Sequence, residues 1–292
     1  VNAFPITSPG PLLPLDAPLP QPRKYTLLDA ASLVTPPDDR WRAGAWINGY
    51  PSGPVQTHDP CSTGTFRLKD VQAGTARPMA GAFTVVQGGS CSARSVGSDS
   101  GWYTDRLALA FQAVESTGVE RVFATGDHHS TLGAYMADGN MDAPYGATAV
   151  SRREGLATLE DAIAAVGAGM IHATPGLIDL WQGDYLIETI QGQKRTGAGT
   201  IVVSGAGYIG VRPDGYAGGL GASESWAFAT GFVQVRRGDL TILPGQYSQA
   251  LDRVENELTF YAERDYLITW VGRQDNSDDD HIQVGVKIDR ST

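Results

Sequence analysis

Asp127-His128-His129 is the group whose residue types and spacing come closest to a reactive centre. Two adjacent imidazoles beside a carboxylate could ligate Mn²⁺ or Zn²⁺. The other histidines, His58, His172 and His281, show no ligand spacing such as H-x-x-x-H. A second motif, Gly205-Ala206-Gly207-Tyr208-Ile209-Gly210, is a G-x-G-x-x-G directly after the strand-like run Ile201-Val202-Val203, where a dinucleotide fingerprint would sit. The next residues, Val211-Arg212-Pro213-Asp214-Gly215, cannot open the helix whose N-terminus would hold a pyrophosphate, so a flexible glycine loop is expected instead. Asp278-Asp279-Asp280-His281, preceded by Asp275 and Asn276, offers oxygen ligands for weak Ca²⁺ binding but reads better as a solvated turn between two strands. No G-x-S-x-G elbow and no P-loop occur, so no cofactor and no enzymatic turnover are expected.

The elements that would have to position such residues are bounded by composition. A chain of 292 residues, 41% of them apolar, can bury a sizeable core in one large or two ordinary domains. Its 36 glycines and 17 prolines favour turns, extended arms and short strands over helix. A net charge of −10 opposes non-specific attachment to phosphate backbones. No run reaches the roughly 18 apolar residues of a membrane span, and no basic-then-apolar leader precedes Pro5. A start at Val1 without Met implies a processed terminus or a dropped initiator. The two cysteines, Cys61 and Cys91, exclude a disulfide scaffold and a four-thiolate zinc site. A bond between them would close a loop of about 30 residues and add roughly 3–4 kcal/mol; two buried thiols in a reducing cytoplasm is the preferred reading.

Residues 1–40 are Pro-rich, with Leu12, Leu13, Leu15, Leu27 and Leu28 scattered among the prolines, a composition that predicts an extended arm without helix. From Trp41, short extended pieces (Trp41 to Ile47, Thr65 to Leu68, Ala82 to Val86) alternate with turn residues, predicting a long hairpin-like excursion with little core of its own. Leu107, Phe111 and Val114 predict a helix over Asp105–Glu120 that ends near Gly118, followed by a strand over Val119–Ala124. Thr158-Leu159-Glu160-Asp161 reads as a capping box opening a helix to Val166. Thr174-Pro175 opens another, with Leu177, Ile178 and Trp181 on one side. Strands are then expected at Thr200–Val203, Ala229–Val235, Leu258–Trp270 and Ile282–Ile288.

This order of parts resembles the Hong Kong 97 coat fold of tailed bacteriophages, which bacterial encapsulins share, and the match is best over residues 157–271. Met170–Trp181 is similar to the family's strand ending in Asn/Thr-Pro, Gly199–Ser204 to its G-x-P-V-V strand, and Ala229–Val235 to its G-D-F strand. Val254–Glu257 corresponds to its acidic E-N turn, and Ala262-Glu263-Arg264-Asp265 to its A-E-x-R. Thr200-Ile201 replaces the usual proline and Gly231-Phe232 lacks the preceding Asp. The resemblance implies an α+β coat fold with an N-terminal arm (1–40), a long β-hairpin loop (41–98), a spine helix and first part of a peripheral domain (99–156), an axial domain (157–249) and return strands of the peripheral domain (250–292).

In function, the resemblance implies a structural subunit of an actinobacterial-phage-like icosahedral capsid. Copies would assemble into hexamers, pentamers or both around double-stranded DNA, in a virion built in the bacterial host cytoplasm. The partners would be further copies and a second capsid or decoration protein, with no membrane and no sequence-specific contact to DNA. Leu12, Leu13, Trp41 and Trp46 would pack between subunits, since a thin arm and hairpin cannot bury themselves, and the Gly205–Gly210 loop would lie near a symmetry axis. Some coat proteins of this family form Lys–Asn isopeptide cross-links assisted by a buried Glu, and Lys69, Asn256 and Glu263 fall on the corresponding regions. The alternatives are an encapsulin-like shell around cargo enzymes, a tail or decoration protein on another β-rich fold, and a metal-dependent phosphoesterase. The last rests on Asp127, His128 and His129, which are similar to a phosphoesterase motif but lack its upstream Asp-x-Asp.

Overall fold

The computed structural model describes residues 18, 20–36, 38–46, 79–92, 100–127, 135–139, 141–165, 167–216, 219–245, 247–252, 254–255, 257–270 and 283–292. In chain order the elements are α1 (Leu27–Ala30), β1 (Ser32–Val34), β2 (Ala45–Trp46), β3 (Met79–Ala80), β4 (Ala82–Ser92), α2 (Ser100–Thr125) and α3 (Arg152–Ala164). They continue with β5 (Gly169–Ala173), α4 (Pro175–Gly183), β6 (Ile187–Ile190), β7 (Gln193–Thr196), β8 (Ile201–Ser204), β9 (Glu224–Gly231), β10 (Val233–Arg237) and β11 (Thr241–Leu243). The last are α5 (Tyr247–Ala250), β12 (Leu251–Asp252), β13 (Glu257–Trp270) and β14 (Gln283–Asp289).

The first sheet is organised by β13. Antiparallel β4 runs along one side of it, from Glu257↔Ser92 to Leu267↔Ala82. On the other side β10 and β11 pair with successive parts of the same strand, and β1 lies parallel to β10. Period-two alternation turns Leu258, Phe260 and Ala262 inward onto Leu107 and Phe111 of α2 and leaves Tyr261 facing solvent. The second sheet, β14-β9-β5-β8-β7-β6, is covered on both faces. α3 and α4 pack on one through Leu159, Ile163, Leu177 and Trp181. The other meets the C-terminal half of α2 in a core that also receives Val233, Tyr266 and Trp270 of the first sheet. Burial on both faces accounts for the near-continuous apolar runs of β5 and β9.

Several expectations need correction. The segment Val119–Ala124 is the last part of a 26-residue helix, α2, not a strand. Val119, Phe123 and Ala124 continue the buried face of Phe111 at helical spacing, and buried context outweighs their β propensity. Gly118 does not stop the helix. A Cβ there would lie 2.8 Å from Val85 Cγ1, so the glycine lets β4 approach the helix closely. α3 starts six residues before Thr158, with the Ser151 side chain accepting from Glu154 N at 3.3 Å, while the Thr158 hydroxyl donates back to Glu154 O. The arm is not wholly extended, because a capping box of Thr26 and Asp29 closes the one-turn helix α1.

The expected strand Ala229–Val235 is two strands. β9 ends at Gly231 in the second sheet and β10 begins at Val233 in the first, so the chain crosses between sheets at Phe232. Of the hairpin expected over 41–98, residues 47–78 and 93–99 lie outside the described residues; at its start β2 pairs with β3, Ala45↔Ala80 and Trp46↔Met79, and β4 beyond them belongs to the first sheet. The 250–292 segment also divides, with β13 in the first sheet and β14 paired to β9 in the second.

Candidate assembly interface and the clamps behind it

The solvent-facing side of β13 and its two neighbours carries a strip of exposed apolar side chains. Leu243 on β11 stands directly opposite Tyr261, and Val86 on β4 stands opposite Glu263, one diagonal step from Tyr261. Val86, Leu243 and Tyr261 are 52%, 42% and 46% exposed, with Tyr261 on the central strand β13, Val86 and Leu243 on the strands beside it, and core on the reverse face. Their exposure makes this face a candidate contact surface. One end is polar, where Asp265 accepts from the Thr84 hydroxyl at 2.6 Å and pairs with Arg42 at 3.0 Å.

Two buried carboxylates on α2 hold the frame that presents this strip. Glu115 accepts from Arg264 at 2.6 Å, from Arg237 at 2.7 Å and from the Tyr266 hydroxyl, tying the helix to β10 and β13. Burial and the neighbouring Glu115 carboxylate raise the Tyr266 phenol well above its ordinary value. Glu120, with no exposed surface, accepts from Leu27 N and Gly207 N, each at 3.1 Å. It thereby fastens α1 of the arm and the 3₁₀ turn Ala206–Tyr208 to the same helix turn. Burial pushes its carboxyl up to about 7, against the opposing pull of the Gly207 and Leu27 N–H groups and the charge of Arg23.

Behind Glu120, the buried imidazole of His172 lies between the hydroxyls of Tyr208 at 3.1 Å and Thr230 at 2.8 Å. Burial pushes it down to about 3, so it is neutral at physiological pH. Fully buried and held by two hydroxyls, it acts as a structural link in the core.

The G-x-G-x-x-G run is neither a phosphate cradle nor a flexible loop. A Cβ on Gly207 would lie 2.5 Å from Arg121 N, 2.6 Å from Thr117 O and 2.6 Å from Glu120 Cβ, so the 3₁₀ turn rests directly on the backbone of α2. Gly207→Ala is therefore expected to lower unfolding stability by about 1–3 kcal/mol, measured by chemical denaturation. A wild-type midpoint would show that α2 can give way at this point.

No protein-family model matches the chain, and no curated protein matches it in sequence. Solved structures do match, over nearly the whole length. The capsid of Ralstonia phage GP4 matches with TM-score 0.54 and 11% identity, over 97% of this chain and 95% of that one. The holo-SrpI encapsulin complex from Synechococcus elongatus PCC 7942 matches with TM-score 0.53 and 8% identity, over 95% and 92%. Mycobacterium phage Bobi matches with TM-score 0.52 and 10% identity, over 97% and 95%. The chain has the Hong Kong 97 coat fold.

Within the Hong Kong 97 fold, the residues singled out from sequence fall as follows. Glu263 lies on the solvent-facing side of β13, between Val86 and Thr241. Lys69 and Asn256 lie outside the described residues, as do Leu12, Leu13 and Cys61. Cys91 is in β4 opposite Leu258. Trp46 is in the β2 rung of the hairpin base. Trp41, expected to be partly intermolecular, packs within its own chain against Ala80 and Leu267, with Arg42 over its ring. Asp127 follows α2 as an exposed turn residue 3.7 Å from Arg121, whereas His128 and His129 lie outside the described residues. The strand expected to carry that motif is helix, and no metal-ligating cluster occurs among the described residues. The Asp275–His281 turn is outside them as well.

Sequence reading missed Glu115 and Glu120. The available signal was a carboxylate at each of two positions on the apolar face of a helix, four and nine residues after Phe111.

Proposed function

We propose that this chain is a structural subunit of an icosahedral tailed-phage capsid, one of many copies that close into hexamers, pentamers or both around double-stranded DNA, without enzymatic turnover. The observation that carries the reading is the apolar strip Val86–Tyr261–Leu243, exposed across three strands of a Hong Kong 97 fold. In this reading α2 with the first sheet forms the peripheral domain and the second sheet the axial domain. The arm and the hairpin that begins at the β2–β3 rungs reach over neighbouring copies. The acidic chain, at −10, lines a shell that holds DNA without adhering to it. Closed symmetry then uses up the interfaces.

Size-exclusion chromatography with light scattering and negative-stain imaging tests the proposal. Pentamers, hexamers or closed particles are expected, and a 31.0 kDa monomer that persists at high concentration overturns it. Packaged DNA identifies a virion, whereas co-purified enzyme cargo would make the particle a host compartment. Replacing Val86 and Tyr261 together with Lys is expected to abolish assembly while shifting subunit stability by no more than about 0.5 kcal/mol per site. Unchanged particles from that variant would remove the strip from the interface.

A covalent cross-link is a second reading, supported by Glu263 standing on the solvent-facing side of β13. A neighbouring hairpin laid over β13 would bury Glu263, allowing it to take a proton from Lys69 as the amine attacks the Asn256 carboxamide and ammonia leaves. Boiled, denatured particles would then run as covalent multimers that Glu263→Gln lacks, and a single band at subunit mass excludes the step.

A further inference from the structure

Glu115 and Glu120 lie on the same helix but are compensated differently. Two guanidinium groups pair with Glu115, whereas Glu120 meets peptide N–H groups, Leu27 N on Oε1 and Gly207 N on Oε2, each at 3.1 Å. Among the described residues no cation lies within ion-pair distance of Glu120, and Arg23, on the exposed part of the arm, acts on it through charge alone. A carboxylate with no exposed surface and no paired cation disfavours its own ionisation.

The two donors are not held equally. Gly207 lies in a turn that rests on the backbone of α2, and Tyr208 beside it is buried and bonded to His172. Leu27 belongs to the arm segment Tyr25–Ala31. Its ties to the body are the Tyr25 carbonyl, which accepts from Ser204 N at 2.7 Å, Lys194 Nζ at 4.9 Å from the centre of the Tyr25 ring, and the buried side chains of Thr26 and Leu27. α1 is a single turn capped by Thr26 and Asp29, too short to keep its shape away from that support. Residues 20–24 before it are exposed, and the chain after it is next fixed where β1 pairs with β10. The segment therefore covers Glu120 as a strap. Lifting it would open the carboxylate to water while α2 and the 3₁₀ turn stay in place.

Of the other charged and titratable groups on these elements, Asp29 is engaged by Thr26, Tyr25 by Lys194, Arg121 by Asp127 and Glu115 by its two arginines. Burial keeps Tyr208 protonated and His172 neutral, and Arg23 favours the charged form of Glu120. Burial outweighs Arg23 and the two N–H groups, raising the docked carboxyl to about 7; with the strap lifted, water restores its ordinary value near 4.5. The docked state thus binds the proton more tightly. Docking is strongest below about pH 4.5, weakens as pH rises, and is weakest above about pH 7.

We propose that the arm segment Tyr25–Ala31 is a proton-coupled strap, docked over Glu120 while that carboxyl is protonated and released as it ionises, without unfolding of the two sheets. One consequence rests on the capsid reading above: release would free the arm for a neighbouring copy.

Hydrogen exchange of the dissociated full-length subunit from pH 5 to 8 tests this, each rate being divided by that of the unstructured chain at the same pH. The amides of Leu27, Ala30 and Ala31 should lose protection by roughly 50- to 100-fold across the range, while those of β13 stay better protected at every pH. Glu120→Gln should abolish this pH dependence. Arg23→Gln changes an exposed residue, so it keeps the test independent of folding, and it should move the loss of protection to higher pH. A flat native profile, a loss that Glu120→Gln retains, or arm and β13 amides equally protected at every pH overturns the proposal. None of these results bears on the capsid reading, because the subunit is measured unassembled.

Discussion

Glu115→Ala is expected to destabilise the folded chain by about 3–5 kcal/mol, a large share of what a domain of this kind possesses. The substitution removes one carboxylate and leaves one fully buried hydroxyl and two partly enclosed guanidinium groups without that acceptor. Arg264 and Arg237, with side chains 11% and 32% exposed, lose their counter-charge, and the fully buried Tyr266 hydroxyl loses its acceptor. The penalty is that of orphaned charge rather than of the lost attraction alone, so removing a partner as well should recover part of it. A double-mutant cycle of Glu115→Ala with Arg264→Ala, followed by urea denaturation of the subunit, should give a coupling energy of about 1–3 kcal/mol. Additive single losses would mean that the helix is held by its apolar face alone. Because Glu115 joins α2 to β10 and β13, the single variant should also fail to assemble.

The second large effect is a pH dependence that Glu120 imposes. Its carboxyl is raised from 4.5 to about 7 in the folded chain, so the folded state holds this proton more tightly than the unfolded state does. The associated stability is fully present below about pH 4.5, falls as pH rises from there, and is gone once pH passes about 7. At 1.36 kcal/mol per pKa unit the swing is about 3 kcal/mol. His172 works in the opposite direction. Its folded value is lowered from 6.5 to about 3, so its contribution is present above pH 6.5 and lost as pH falls toward 3. The two slopes offset each other over pH 4.5–6.5 in the native chain.

Glu120→Gln removes one slope and leaves the other. Relative to the native chain, its stability should gain about 3 kcal/mol between pH 4.5 and 7, read from denaturation curves at half-unit steps. The groups facing Glu120 are Arg23 from the arm and Tyr208 from the 3₁₀ turn, whose phenol is pushed well above its ordinary value by burial and by the Glu120 carboxylate. Identical pH profiles for the two proteins would show that Glu120 is not ionised by pH 8. The variant also keeps only one side-chain acceptor for two N–H donors, so α1 or the 3₁₀ turn should exchange its amide protons faster at Leu27 or Gly207.

Much of this architecture could be read from local pattern. The helix opened by Thr174-Pro175, the alternation of Leu258–Trp270, the apolar run Ile201–Val203 and the closing strand near 282–288 all carry their signal within a few residues. Cap chemistry and side-chain period are short-range properties, and they were enough to mark these elements; the coat fold was what the resemblance of the motifs over residues 157–271 implied. Other features required the tertiary structure because their causes lie far away in sequence. Gly118 resembled a helix stop until Val85 was placed against it. Val119–Ala124 had strand-forming residues until two sheets enclosed it. Ala229–Val235 was one apolar run until its halves were paired with different strands, β5 and β13.

The functional surfaces divide in the same way. The sequence by itself determined that the chain is acidic, rich in glycine and proline, and without a P-loop or serine elbow, while its order of parts carried a resemblance to coat subunits. Only the tertiary structure decided that Val86, Tyr261 and Leu243 share one exposed face, and that Glu115 clamps α2 to the first sheet while Glu120 clamps it to the arm and the 3₁₀ turn. Each of these sets joins residues tens to hundreds of positions apart. Local propensity and periodicity act over a few residues, whereas register, burial and charge pairing exist only once distant strands and helices have been brought together.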